Sequence, residues 1–338
     1  MAGWDAVPGF PFFNEQGSGA WLALAFVALW TARRHLWAAA RHAAGFRTHL
    51  AADEKRWPYA LAFAALIGTG AYFWLFVHAM GMTWPVALMF FSVFFLLSIA
   101  MSRVRAELGA PHEIYYVNPQ MIIADTVGTA RLSPGNMVAL NCLYWFNRCY
   151  RCHPMPNQIE ALKMAEERSL GTGSIVLVAL IGALVAIPAS FWANLKVTYQ
   201  AGAAAGCQGF KDWVGWGSFE RIQEWMQNPA YPDRTRLTFM GSGLAVVLGL
   251  KALRSLVPSF PLHHAGYPLA ISFAMDYFWF AFFISWVLKT VILRYGGHAA
   301  YRKSLPFFLG LILGDYVAGS VWAIIGPLTQ RETYQIFI

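Results

Sequence analysis

The chain has 338 residues, of which 58% are hydrophobic and only 12% charged. A soluble domain carries about 25% charged residues, so this composition excludes an ordinary water-soluble globule. The formal net charge of +8 would suit nucleic acid in a soluble protein. Here the basic residues mostly flank apolar runs, which points to cytoplasmic loops and anionic lipid and excludes a nucleic-acid partner.

Residues 1–16 carry Asp5 and Glu15 and lack a basic start, so they do not read as a cleavable signal peptide. Seven helical spans follow, near residues 17–32, 58–80, 84–102, 171–194, 237–253, 269–293 and 305–327. A bilayer core about 30 Å thick needs about 20 apolar residues of helix, and most of these runs have that length. The expected fold class is therefore all-α: one membrane domain over 1–338, a polytopic helical bundle of about seven spans. Its place is the bacterial inner membrane, with lipid as its first partner.

Basic residues orient the bundle. Arg33, Arg34, Arg41, Arg47, Lys55 and Arg56 follow span one, and Arg103, Arg105, Arg131, Arg148, Arg151, Lys163 and Arg168 follow span three. By the positive-inside rule both stretches face the cytoplasm, which makes 103–170 a cytoplasmic segment and 195–236 an outer loop. Lys289, Arg294, Arg302 and Lys303 run against this orientation. Within 103–170, residues 118–135 (NPQMIIADTVGTARLSPG) are apolar yet Gly/Pro-broken. They read either as a broken, re-entrant segment after span three or as a folded surface loop. Residues 134–146 suit an interfacial helix, and 158–168 an amphipathic surface helix. The outer loop is rich in tryptophan, with Trp213, Trp216 and Trp225, as a membrane-interface belt would be.

Ionisable residues at membrane depth are costly and tend to be kept for function. Asp315 lies near the middle of span seven among small residues, and Asp276 lies about two turns into span six. Each must find a partner or take a proton, which is what a proton-coupled carrier requires; an Asp bonded to a neighbouring helix for packing is the structural alternative. Arg103, Arg105 and Glu107 end span three. Arg103 and Glu107, four apart, share a helix face and could line a cavity that grips a carboxylate, or simply end the span on its basic side.

Cys149, Cys152 and His153 form C-x-x-C-H, the spacing of c-type haem attachment. With Cys142 they also supply ligand types for zinc, although the spacing fits no common zinc module. A basic cytoplasmic loop is the wrong compartment for haem attachment, so reduced thiols with no cofactor are the leading expectation. No P-loop, H-E-x-x-H or G-x-S-x-G pattern occurs, and no enzyme activity is expected.

The C-terminal third carries further wording: Gly266–Tyr267–Pro268–Leu269, Met275–Asp276–Tyr277–Phe278–Trp279–Phe280, Leu293–Arg294–Tyr295–Gly296–Gly297, Tyr301–Arg302, Leu305–Pro306–Phe307–Phe308 and Gly310–Leu311–Ile312–Leu313–Gly314. Together with residues 103–111 and 158–165, these resemble the C-terminal half of a family of large uncharacterised polytopic bacterial membrane proteins, itself distantly similar to oligopeptide transporters. The resemblance touches most of residues 20–326. It implies a secondary transporter or half-transporter for an organic solute, possibly peptide-like. Such a protein would be a homo-oligomer or a complex with a separate membrane subunit. A non-catalytic scaffold or accessory subunit of a larger membrane complex is the alternative, and a haem-bearing electron carrier the next.

Overall fold

A computed structural model describes residues 9–48, 56–110, 117–148, 150, 153–203 and 210–329. The described residues are mostly helical, joined by turns and short coil, with no strand among them. They divide into two compact units, Met1–Met275 and Asp276–Ile338.

In the first unit, α1 (Phe13–Ala43), α2 (Arg56–Met80) and α3 (Trp84–Leu108) are long helices. Gly81, at φ 65°, ends α2, and Thr83 with Pro85 starts α3, as the turn in the sequence requires. Gly109, at φ 67°, closes α3 in the left-handed conformation that favours glycine. Short helices follow: α4 (Pro119–Val127), α5 (Pro134–Cys142) and α6 (Tyr144–Asn147). Proline at the first position starts both α4 and α5, and the Ser133 hydroxyl accepts the Asn136 N–H. Amphipathic α7 (Pro154–Glu167) precedes α8 (Thr172–Ala201), which carries Pro188 inside it and buries no side chain among its described residues. The loop helix α9 (Phe210–Gln227), then α10 (Arg234–Leu256) and the short α11 (Gly266–Ala270), complete this unit.

Among the described residues, five helical stretches are long and apolar enough to cross a membrane: Arg56–Met80, Trp84–Leu108, Gly173–Gln200, Arg234–Leu256 and Met275–Gly326. The expected spans at 58–80, 84–102, 171–194 and 237–253 fall on the first four. Helix α1, the expected first span, is not one of the five; Glu15, Arg33, Arg34 and Arg41 all lie within it. The last two expected spans fall on one 52-residue stretch. There α12 (Phe273–Val291) passes through a π-helical turn at Ile292–Gly296 into α13 (Gly297–Thr329) with no coil between them. The intervening residues HAAYRKS contain the helix formers Ala, Arg and Lys and no proline, so only the Gly296–Gly297 pair marks the boundary.

The core of the first unit lies where α1, α3 and α10 meet. Ala20, Trp21, Leu24, Leu97, Met101 and Val247 are buried there. Helices α1 and α10 cross with their backbones in contact. A Cβ on Gly19 would sit 1.8 Å from the Met240 carbonyl oxygen, and one on Gly243 would sit 2.0 Å from that of Gln16. Only glycine permits this approach.

The segment 103–170 does not stay at one end of α3. The Asn136 carboxamide accepts the Thr83 N–H at 2.8 Å, beside the start of α3. Phe146 then packs on Phe90 and Phe94, Tyr150 stacks on Phe94, and Glu160 pairs with Arg105 near the end of α3. Residues 136–160 thus follow α3, a helix about 37 Å long at 1.5 Å per residue, in broken pieces.

Candidate functional site

Two polar clusters flank α10. At its start, Asp233 caps the helix, accepting the N–H of Thr235 at 2.8 Å. One turn on, Arg236 reaches three carboxylates: Asp125 of α4 at 3.0 Å, Asp233 at 3.5 Å and Glu15 of α1 at 3.7 Å. The loop before α10 is fixed to the end of α4. The Ala130 N–H donates to the Ala230 carbonyl at 3.0 Å, and the Ala230 N–H donates to Thr129 Oγ1 at 2.8 Å. Gly128, at φ 85°, lies so close to Pro232 that no side chain would fit.

Asp125 is 12% exposed. Burial pushes its carboxyl up from the ordinary value to about 6, against the opposing pull of Arg236, while Glu15 and Asp233 add to the rise. Asp125 therefore keeps its proton to a higher pH than an exposed aspartate would. Beside it, the Tyr267 hydroxyl donates to Gln16 Oε1.

The second cluster gathers at the end of α3. Arg103 grips Glu107 at 2.5 Å, and Arg105 binds Glu160 at 2.5 Å and donates to the carbonyls of Gly109 and Ala110. The turn after α10, closed by the Gly266 N–H on the His263 carbonyl, brings two histidines to Glu107. Ligand atoms of Glu107, His263 and His264 lie within 4.8 Å of one another. The His263 and His264 rings are 4.3 Å apart. Burial and the neighbouring His263 lower His264 to about 4, so its ring is neutral at pH 7.

Of the residues singled out in the sequence, Arg103, Arg105 and Glu107 therefore fall in one cluster. Asp276 and Asp315 lie in the second unit, exposed, and among the described residues neither has an ion-pair partner. Cys149 and Cys152 lie outside the described residues. His153 caps α7, its Nδ1 accepting the Met155 N–H at 3.2 Å, and its ring packs on Phe94. Cys142 is an exposed free thiol lining an apolar groove against α9 with Trp145, Val214 and Phe219.

Sequence reasoning missed Asp125, Arg236, Glu15 and the pairing of His263–His264 with Glu107. The broken segments also hold buried amides. Gln120 and Asn147 are fully buried and neither side chain has a hydrogen-bond partner; the Tyr150 hydroxyl is likewise unpartnered. Such atoms are expensive in a dry core and normally face water or a ligand.

All-helical structure among the described residues, with helices long and apolar enough to cross a membrane, marks a protein of membrane type. The chain belongs, over residues 1–338, to DUF6785, a family of unknown function. No curated protein and no solved structure matches it.

Proposed function

We propose that this protein is a proton-coupled secondary transporter of an organic, peptide-like solute. The observation that carries the reading is Asp125: a nearly buried carboxyl, raised to about 6, on a short broken helix inside an apolar bundle. Carriers place discontinuous helices and exchangeable protons at their substrate sites. In this reading the start of α4 dips between the long helices, with Asp125 at its mouth, so that residues 118–135 are re-entrant. Helix α1 and the two halves of the Met275–Gly326 stretch bring the crossings to seven. The unpartnered amides of Gln120 and Asn147 suit a polar path for a solute with peptide bonds. Asp315 and Asp276, on the apolar helices of the second unit, are further candidate coupling carboxylates.

The test is reconstitution into vesicles loaded with a pH-sensitive dye, followed by addition of a mixture of di- to tetrapeptides. Wild-type protein acidifies the lumen, and Asp125→Asn and Asp315→Asn each abolish the pH-dependent uptake. Wild-type vesicles that move neither peptide nor proton would reject the reading. Unchanged proton-coupled uptake in Asp125→Asn would remove its central residue.

A second reading rests on α8, whose apolar residues are unburied along its whole length. It makes the chain a scaffold or accessory subunit that packs α8 against other membrane helices, in a homo-oligomer or with a separate subunit. Stable co-purification with other membrane subunits, without peptide-driven proton movement, would favour it.

A further inference from the structure

A carboxylate and two imidazoles converge where α3 ends. Glu107, His263 and His264 each offer one ligand atom, and these lie within 4.8 Å of one another. Zinc bound at about 2.0–2.1 Å holds tetrahedral ligand atoms about 3.3 Å apart, so modest side-chain rotation closes the set around an ion. His264 is 7% exposed, and its Nδ1 is buried with no hydrogen-bond partner. A buried ring nitrogen left without a partner is costly and normally has a reason. We propose that Glu107, His263 and His264 bind a single divalent cation of the zinc class, leaving a fourth position open to water or another ligand.

The chemistry of the donors fits. Two imidazoles and one carboxylate suit zinc and neighbouring transition ions better than calcium or magnesium, which prefer all-oxygen shells. Arg103 fixes the carboxylate from outside, donating to Glu107 Oε1 at 2.6 Å, as outer partners of metal ligands do. The Ala265 N–H meets His263 Nδ1 at 3.2 Å. An ion on the other ring nitrogen requires the tautomer protonated on Nδ1, so this long contact is the one that binding displaces. Lys251 and Arg254 lie near enough to oppose a cation electrostatically. The single formal charge of Glu107 offsets part of that, and the neutral rings supply the remaining donors. Adjacent residues rarely ligate together, but the turn at His263 sets both rings on one side of the chain. A bound ion would clamp the loop after α10 to the end of α3. The proposal stands apart from the transport reading.

The experiment uses the full chain in detergent micelles, stripped with chelator and dialysed against Zn²⁺. Elemental analysis should find one zinc per chain, retained in a variant whose four cysteines are serine. His264→Ala and Glu107→Gln should each weaken binding at least about tenfold. X-ray absorption of the zinc-loaded wild type should show a nitrogen/oxygen shell with imidazole scattering, a readout that holds even if a variant fails to fold. No retained ion in the wild type, loss of zinc in the cysteine-free chain, a sulfur shell, or full binding by His264→Ala would each overturn the site.

Discussion

The two ends of α10 carry opposite electrostatic problems. At its start one guanidinium, Arg236, serves three carboxylates, so negative charge is in excess. Near its end, Lys251 and Arg254 of its last turns stand near His263 and His264 of the following turn, and Glu107 is the acid that faces them. Each excess is relieved by changing protonation. Asp125 is raised towards neutrality and His264 is pushed down to about 4. The same physical cause, burial, leads in both, yet it yields a proton acceptor at one end and neutral metal-ligand chemistry at the other. Burial disfavours the charged form at both ends, so the type of residue, an acid at one and an imidazole at the other, decides which way each shifts.

The contrast depends on the α1–α10 crossing, because that crossing carries Glu15 to Arg236. The largest expected effect is therefore steric. Gly243→Val forces a side chain into the Gln16 backbone and should cost more than about 3 kcal/mol. Thermal unfolding in detergent reads it. Gly241→Ala, on the same helix with open space beside it, should be neutral or slightly stabilising, since alanine favours helix over glycine. Equal effects from the two substitutions would mean that the backbones do not touch. Next in size is Arg236→Gln, which leaves Asp125, Glu15 and Asp233 without their shared cation. The expected cost is about 2 kcal/mol, below that of a fully buried pair because Arg236 is partly exposed. Loss of that attraction should also move Asp125 above 6, seen as persistence of its protonated-carboxyl infrared band to higher pH.

The legible part of this fold was the part written in hydrophobicity. Apolar runs placed α2, α3, α8 and α10 because lipid-length helices need nothing else to be recognised. The broken segment 118–135 could be seen as irregular, and Pro119, Gly128 and Pro134 do start and stop helices there. What the sequence could not give was partnership. Asp125 meets Arg236 across 111 residues, and no spacing rule joins positions so far apart. Glu107 was noticed through Arg103, four residues away, whereas its histidines come from a turn after a different helix. Asp276 and Asp315 stood out because they interrupt apolar runs. Asp125, in a segment already broken by Gly and Pro, interrupted no span-length run, although it is the least exposed of the three. Between the last two expected spans, the charged residues at 294–303 read as a loop in the sequence, whereas the structure carries them in helix.

The pH dependence of stability sharpens the comparison further. Asp125 is raised in the folded state, so the folded protein binds this proton more tightly than the unfolded chain. Its contribution is complete below the ordinary value of 3.8 and is lost as pH rises through about 6. Asp125→Asn should flatten that part of the stability profile while leaving the profile above pH 7 unchanged. Melting temperatures across pH 4–8 check this, and an identical slope in the variant would mean that another group carries it.

The smallest expected effect belongs to the end of α3. The Arg105–Glu160 pair is 2.5 Å long, but its side chains are 29% and 41% exposed. Exposed pairs typically give about 0.2–1 kcal/mol, so Glu160→Gln should cost at most that. Arg105 would keep its bonds to the Gly109 and Ala110 carbonyls, which already close the helix. Salt distinguishes the two ends: raising ionic strength should erase the Glu160→Gln difference, because solvent screens that pair, while the Arg236→Gln difference should largely persist. If both differences vanished together, the Asp125 cluster would be as open to water as the surface pair, and its raised carboxyl would have no physical cause.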